Sequence, residues 1–222
     1  VLDGLAINSN EMLASPLYPK FYVAVGNELR TYHQYSGELE SNIVVAPEGT
    51  ILEQLIIHPA GDYLLAKAVE TITTVDDVGV ETLKDVDRRY RVNLTDYAIT
   101  EILEADDFLS EPMSIVRLSG RYFVVTQALQ YTDENLKLLF WDAENAFFAS
   151  TIDVASQANT LFAVDNSSVS FKRFLPQAND FGDDKIKMTL THEYHPDLLP
   201  NGQFIIDFIV INDEKNIYAL SQ

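Results

Sequence analysis

Residues 51–68 read ILEQLIIHPAGDYLLAKA, and this stretch decides the fold class of the chain. Two short apolar runs flank a Pro-Ala-Gly-Asp turn at residues 59–62. A second copy of the arrangement, MSIVRLSGRYFVVTQA, follows at residues 113–128 with a Ser-Gly-Arg turn at residues 119–121. Because a strand–turn–strand unit that recurs along a chain is typical of repeat architectures, the sequence predicts an all-β repeat fold.

Both copies continue into short β-branched and aromatic runs separated by Gly, Asn, Asp and Pro, which predicts further strands. A first repeat over about residues 51–105 has predicted strands at 51–58, 63–71, 88–94 and 97–103, with a long polar connection at 72–84. A second repeat over about residues 112–154 has predicted strands at 113–118, 122–129, 136–142 and 147–154. Residues 100–110, TEILEADDFLS, are either one short turn of helix or a strand that runs into a loop.

The flanks of these repeats follow the same scheme less completely. Partial repeats are predicted at residues 20–46, 160–195 and 203–222. No Pro-rich or Ser-rich linker divides the chain, so we predict a single all-β domain over residues 1–222. The continuous apolar runs at residues 51–57 and 204–211 predict strands that are buried on both faces.

The composition excludes several classes of partner and chemistry. The 34 acidic and 15 basic residues give a net charge of −19, which repels nucleic-acid phosphates and anionic lipids. The absence of cysteine excludes disulfides, thiolate nucleophiles and Cys-ligated zinc. The longest apolar runs are about half a membrane span, so no transmembrane segment is predicted. The N-terminal residues do not form an intact signal peptide, and a removed signal stays open.

Several short motifs resemble the blades of a β-propeller. The pattern of apolar strand, Pro or Ser, Gly, Asp or Arg, Tyr, apolar strand at residues 58–65 and 118–125 resembles the first hairpin of a blade. Residues 136–144, LKLLFWDAE, are similar to the Trp-Asp part of a WD repeat, and residues 27–38, NELRTYHQYSGE, have the same shape. The chain has only one Trp-Asp and no Gly-His pair before the first strands, so it resembles divergent bacterial surface and periplasmic propellers more than WD-repeat proteins.

This resemblance implies four-stranded antiparallel blades around a central channel. The number of repeats leaves two arrangements open. Either five small blades close with a strand at residues 4–8, or the chain forms part of a larger, incomplete ring. The alternative fold is a β-sandwich.

Three charged residues are candidates for lining such a channel, because they interrupt strands predicted to face the axis. Asp207 lies inside FIIDFIVI, where a carboxylate is costly unless it is paired or exposed to a channel. Arg117, within SIVRL, is its natural partner, and Glu53 belongs to the same ring of polar residues. The competing interpretation of Asp207 is a charge that is bound by a neighbouring arginine or backbone amide.

No metal or cofactor is predicted. His192 and His195 form an H-x-x-H pair, but residues three apart on a strand face opposite sides. Calcium would suit the acidic loops, yet no D-x-[DN]-x-[DN]-G pattern occurs. Five tyrosines would suit either a binding face for peptide or carbohydrate or, more simply, cross-strand packing: Tyr22, Tyr32, Tyr35, Tyr90 and Tyr122.

The sequence favours a non-enzymatic binding module over an enzyme and assigns no catalytic residue, because the usual hydrolase and nucleotide-binding motifs are missing. We expect a propeller that binds a protein or glycan partner, in a bacterial cell-surface, periplasmic or secreted protein. The first alternative is a propeller hydrolase of lactonase or glycosidase type with a carboxylate or calcium site in the channel. The second is an intracellular scaffold subunit of the WD type, in the cytoplasm.

Overall fold

A computed structural model describes residues 11–103, 105–106, 109–142, 147–155, 159–168, 170–177, 187–195, 205–211 and 216–221. All regular secondary structure in this part of the chain is β-strand, which confirms the predicted all-β fold. It contains no helix that is long and apolar enough to cross a membrane. The chain divides into two compact units, Val1–Leu103 and Glu104–Gln222, and the single domain over residues 1–222 stays a prediction.

The first unit contains two antiparallel sheets in which strands that are consecutive in the chain are neighbours. Sheet I consists of β1 (Glu11–Ala14), β2 (Lys20–Val25), β3 (Glu28–His33) and β4 (Leu39–Val44). Sheet II consists of β5 (Ile51–Ile57), β6 (Tyr63–Val75), β7 (Glu81–Asn93) and β8 (Ile99–Glu101).

The hairpin predicted from residues 51–68 is present as β5 and β6. Its turn depends on Gly61, which adopts a φ of +69° that other residues rarely take. Residues 99–101 form β8 and residues 102–103 are irregular, whereas residues 104, 107 and 108 lie outside the described residues, so the two alternatives for residues 100–110 stay open.

The second unit contains two further four-stranded meanders and a pair of strands. Sheet III consists of β9 (Pro112–Leu118), β10 (Arg121–Thr126), β11 (Tyr131–Thr132) and β12 (Leu138–Phe140). Sheet IV consists of β13 (Ile152–Ala155), β14 (Thr160–Asp165), β15 (Ser170–Gln177) and β16 (Lys187–Tyr194). The described strands of sheet V are β17 (Ile205–Ile211) and β18 (Asn216–Ser221).

The boundary between sheets III and IV differs from the sequence-based expectation. The predicted last strand of the second repeat, residues 147–154, contains the start of β13, which pairs with β14 and therefore begins sheet IV. The missing strand of sheet III is β11, which lies between two predicted strands and pairs with β10 and β12. A strand of two residues is too short to show a period in the sequence, so the sequence predicts a connection at these residues.

Each core cluster lies between two consecutive sheets. The first cluster joins Tyr22, Ala24 and Leu29 of sheet I to Leu55 and Leu64 of sheet II. The second joins sheets III and IV, and the third joins sheets IV and V. Apolar faces of consecutive sheets therefore supply most of the buried surface in each unit.

Sheet IV is buried on both faces, which explains the composition of its second strand. All six residues of β14, TLFAVD, are buried. Leu161 and Ala163 belong to the cluster shared with sheet III, whereas Phe162 and Val164 belong to the cluster shared with sheet V. Because successive side chains of a strand point to opposite faces, such a strand must be apolar at almost every position.

The expectation that β5 and β17 are buried on both faces holds only in part. In β5, the successive residues Leu55 and Ile56 are both buried, whereas Ile51 and Glu53 at the start of the strand are exposed. In β17, Phe208 is buried and Ile209 is exposed. The expectation fails for the described side chains of β17 and for the start of β5, because an apolar run shows that a strand is hydrophobic and does not show that both of its faces are covered.

Hydrogen bonds from side chains connect the first strand of one sheet to the sheet before it. In the first unit, the Glu11 carboxylate on β1 accepts a hydrogen bond from the backbone N–H of Leu55 on β5. In the second unit, Asn166 Nδ2 donates to the carbonyl of Ile205 at 3.1 Å, and the Ile205 N–H donates to Asn166 Oδ1 at 3.2 Å. These side chains fix the position at which the next sheet begins.

We expect Asn166→Ala to lower the free energy of unfolding by about 1–3 kcal/mol, because it removes two hydrogen bonds to one backbone residue. Chemical denaturation followed by intrinsic fluorescence measures this loss. Asn42→Ala is the matched control: Asn42 is exposed, its amide donates only to the Glu28 carboxylate, and its removal should cost less than about 0.5 kcal/mol. Equal losses for the two variants would contradict the connecting role of Asn166.

Candidate functional site

The three charged residues singled out by the sequence all lie on the first strand of their sheet. Glu53 is on β5, Arg117 is on β9 and Asp207 is on β17. All three residues are exposed. Their common assignment to a channel stays a prediction.

Each of these residues has its own local partners. The Asp207 carboxylate accepts a hydrogen bond from the backbone N–H of Phe208 at 2.8 Å and from Thr151 Oγ1 at 3.5 Å. The Arg117 guanidinium lies 5.9 Å from the ring centroid of Tyr122, its cross-strand neighbour. Within the described residues, Asp207 and Arg117 do not form an ion pair. The backbone contact to Phe208 matches the competing interpretation of Asp207, a charge bound by a backbone amide.

Glu53 belongs to a chain of charges across sheet II. Its carboxylate lies 3.9 Å from Lys67 Nζ, and the same ammonium lies 3.3 Å from the Asp87 carboxylate. The three residues stand on three neighbouring strands, so the ammonium of Lys67 offsets the repulsion between the carboxylates on either side of it. This arrangement links β5, β6 and β7 through charged side chains.

Three of the five tyrosines are packing residues. Tyr22, Tyr32 and Tyr90 are buried, as the simpler interpretation of the sequence expected. Tyr35 and Tyr122 are exposed to different extents, and they lie in different units of the chain. The described residues contain no group of three or more His, Asp or Glu side chains that could hold a metal ion.

The most unusual element of the first unit is the hairpin formed by β6 and β7. Each strand has 13 residues, and the two pair along their whole length from Tyr63↔Asn93 to Val75↔Glu81. The outer neighbours are far shorter, because β5 pairs with β6 only as far as Val69 and β8 pairs with β7 only over Tyr90–Val92. Residues 70–87 therefore continue beyond sheet II as a two-stranded ribbon, which we name the β6–β7 arm. Its strands extend about 20 Å past the sheet.

The sequence did not predict the arm. Residues 72–84 are predicted to be a long polar connection that carries the acidic pair Asp76-Asp77 and Gly79. Regular alternation of apolar and polar residues arises where one face of a strand is buried, and neither face of the distal arm is buried against a sheet. The signal that could have shown it is the β-branched run TITTV before the turn, together with Thr82 after it.

The turn at the end of the arm is held by its own hydrogen bonds. Asp76 Oδ1 accepts from the backbone N–H groups of Val78 at 3.0 Å and Val80 at 2.8 Å. The Asp76 N–H donates to the Val80 carbonyl at 3.1 Å, and Gly79 has a φ of +83°. Across the strands, the hydroxyls of Thr74 and Thr82 lie 2.8 Å apart. The tip thus has a defined conformation although it has no sheet beneath it.

Large apolar side chains are exposed at this tip. Val78 is 83% exposed and Leu83 is 76% exposed, and Val75 and Val80 are also exposed by more than half. The arm carries six acidic residues and one lysine, Lys84, so its net charge is −5. An apolar end surrounded by carboxylates is a surface that suits contact with another protein rather than with water alone.

The described residues also contain one nearly buried charge network, in the second unit. The Asp165 side chain is 6% exposed, and its carboxylate lies 2.8 Å from Lys172 Nζ. Ser167 Oγ donates to Asp165 Oδ1 at 2.6 Å. Burial alone would raise the pKa of the Asp165 carboxyl, but hydrogen bonds from Lys172 and Ser167 outweigh it and hold the pKa well below its usual range. The Lys172 ammonium also lies 3.8 Å from the Glu193 carboxylate on β16, so the network joins three neighbouring strands of sheet IV.

We expect Asp165→Asn to lower the free energy of unfolding by about 3 kcal/mol at pH 7, because it leaves the Lys172 ammonium without its buried counter-ion. The folded-state pKa of Asp165 lies below its unfolded value of about 3.9, so its stabilisation is present above that pH and is lost on acidification. In thermal melts between pH 7 and pH 2, the melting temperature of the variant should therefore fall less steeply with acidification than that of the wild-type chain.

The control is Glu40→Gln, which breaks the more exposed Lys20–Glu40 pair and should lower the free energy of unfolding by less than about 1 kcal/mol. A loss for Asp165→Asn that is no larger than this would contradict the network's role.

Consecutive four-stranded meanders that pack through their faces are the blades of a β-propeller. Solved structures agree. The β-propeller domain of Cps50 (Swd1) from Myceliophteria thermophila is 11% identical with a TM-score of 0.51, and the match covers 97% of this chain and 80% of that one. Raptor from Chaetomium thermophilum is 11% identical with a TM-score of 0.55, and the match covers 96% of this chain and 18% of that one.

A protein from Bacteroides uniformis that is assigned as a 6-phosphogluconolactonase is 12% identical with a TM-score of 0.53, and the match covers 94% of this chain and 62% of that one. The chain thus spans less than two thirds of the Raptor and Bacteroides chains. No protein-family model and no curated protein matches the sequence. The fold of this chain is that of a divergent β-propeller, built of four-stranded antiparallel blades.

Proposed function

We propose that the chain is a protein-binding propeller module and that the β6–β7 arm is its contact element. The observation that carries this proposal is the exposure of four large apolar side chains at the end of an ordered ribbon. Exposed apolar groups that are gathered in one place are typical of interaction sites. In a chain with a net charge of −19, solubility would favour polar residues at an exposed turn of this kind.

The order of the tip strengthens the proposal. A contact element that already holds its bound conformation loses little conformational entropy on association. The Asp76 side chain and the Thr74–Thr82 hydroxyl contact hold the tip in that way. The arm contributes little to the core, since it extends past β5 and β8, the outer strands of sheet II.

The setting of this module is part of the proposal. We place it in a bacterial cell-surface, periplasmic or secreted protein, and the support is the resemblance of its hairpin motifs to those of divergent bacterial propellers. A protein partner is favoured over a glycan, because the tip offers aliphatic side chains and lacks the aromatic rings on which sugars stack.

Excision of the arm tests the proposal. Residues 71–85 are replaced by Asn-Gly, so that Glu70 and Val86, which face each other across the ribbon, are joined by a two-residue hairpin turn. We expect the variant to fold and to keep a β-rich circular dichroism spectrum, because the removed residues lie beyond the strands that flank the hairpin. Affinity capture from the source organism with the complete chain and with the excised chain, followed by mass spectrometry, should show proteins that depend on the arm.

Point variants then measure the contribution of the tip. With a protein recovered in this way, Val78→Ser should weaken binding about tenfold, the effect of removing a central apolar contact. Leu103→Ser is the matched control, because Leu103 is 79% exposed and lies outside the arm. Identical protein sets with and without the arm, or equal effects of the two serine variants, would contradict the proposal.

A further inference from the structure

The β6 edge of the arm carries backbone groups that face away from the hairpin. At the tip, the Asp76 N–H donates to the Val80 carbonyl at 3.1 Å, and at the base the Leu94 N–H donates to the Asp62 carbonyl at 2.9 Å. Since antiparallel pairs alternate between bonded and non-bonded positions, the even-numbered residues of β6 bond to β7. The odd-numbered residues 71, 73 and 75 then direct their N–H and C=O groups outward.

A contact at the base supports this assignment. His58 N–H donates to the carbonyl of Tyr63, an odd-numbered residue of β6, at 2.9 Å. The odd-numbered positions thus face β5 where β5 is present. Because β5 reaches only to Val69, the outward groups of Thr71, Thr73 and Val75 have no neighbouring strand in the described part of the chain.

The two edges of the arm differ in their side chains. Residues 71–75 read TITTV, which are all β-branched and uncharged. The β7 edge at residues 81–87 carries Glu81, Lys84, Asp85 and Asp87. Charged residues protect an exposed edge against pairing, whereas an uncharged β-branched edge is a template for a further strand.

We propose that an extended segment of the partner protein adds to the arm as a strand alongside residues 71–75. This inference rests on the proposed function, because it names the way in which the arm binds. The segment would bond through its backbone to the outward groups of Thr71, Thr73 and Val75, as in other complexes formed by strand addition.

The charges at the two ends of this edge define the partner's composition. Glu70 precedes the uncharged run, and Asp76 and Asp77 follow it. Glu70 is bound by Arg88 at 2.6 Å, so the aspartates form the more negative end. A segment with Lys or Arg at its ends and β-branched residues between them fits this edge, because opposite charges across a strand pair stabilise it.

The same charges disfavour a second copy of this chain as the occupant. Two β6 edges that paired antiparallel about Thr73 would place Glu70 of each copy opposite Asp76 of the other. Like charges that lie directly opposite destabilise a strand pair. The net charge of −19 adds a general repulsion between copies.

Two synthetic peptides test the inference. Lys-Val-Thr-Val-Thr-Val-Lys and Glu-Val-Thr-Val-Thr-Val-Glu carry the same central residues and opposite charges, and fluorescence anisotropy measures their binding to the complete chain. We expect the lysine peptide to bind at least about tenfold more tightly at low salt, and to lose affinity as salt rises. Hydrogen exchange of the wild-type chain with this peptide should slow at the amides of residues 71, 73 and 75.

Proline variants identify the edge. Thr73→Pro removes one outward N–H and retains the hydrogen bonds between β6 and β7, since proline is tolerated on the open side of an edge strand. It should weaken binding of the lysine peptide about tenfold. Leu83→Pro makes the same change on the β7 edge and should leave binding unchanged, while Thr73→Ala retains the N–H and should bind normally. Circular dichroism confirms folding, and hydrogen exchange of the wild-type chain gives the answer if a proline variant does not fold.

Several results would overturn the inference. These are equal binding of the two peptides, protection of β7 amides rather than β6 amides, or self-association of the chain that Thr73→Pro abolishes in sedimentation. The results also distinguish a failure of strand addition from a failure of the proposed protein-binding function. If neither peptide binds although capture still depends on the arm, strand addition is wrong and the protein-binding function stands. If capture does not depend on the arm, the proposed function fails.

Discussion

Sheet IV lies between sheets III and V and must be apolar on both faces, and the structure of the second unit depends on that constraint. Leu161 and Phe162 show it directly, since they are neighbours in sequence and belong to core clusters on opposite sides of the sheet. A meander of four strands meets this demand with short connections, and the order of strands in sheets I to IV follows the chain without a crossover. Burial between faces thus explains both the composition of β14 and the simple topology.

Because the core lies between the faces of consecutive sheets, the strand edges and turns can vary without disturbing it. The turn from β14 to β15 contributes Asn166 to the start of the next sheet, so it serves the core. The turn between β6 and β7 does not contribute to the core, because it lies at the end of a two-stranded ribbon that extends past both β5 and β8. Packing does not explain the apolar residues there, because Val78 and Leu83 are among the most exposed large side chains of the described residues.

The sequence predicts this fold wherever turn chemistry and burial agree, and it fails where one of them is missing. Residues 51–68 predict a hairpin because two apolar runs flank a Pro-Ala-Gly-Asp turn, and the structure has Gly61 in that turn with a φ of +69°. The strand β11 was missed since two residues show no period, and the distal arm was missed since neither of its faces is buried. Asp207, a charge within an apolar run, is exposed on the face opposite Phe208, and its place in a channel stays a prediction. Burial of a face cannot be read from a run of apolar residues, because it depends on what the rest of the chain places beside that face.

The uneven distribution of charge along the arm supports the view that its two edges have different roles. Protection against unwanted pairing requires only a few charged side chains on each open edge. The β7 edge has Glu81, Lys84 and Asp85, while the opposite edge from Thr71 to Val75 has none. If solubility were the only demand on the ribbon, both edges would need the same protection, because each exposes the same backbone groups. The acidic residues at the two ends of the open edge limit which strands can pair with it, and they do so without blocking its backbone.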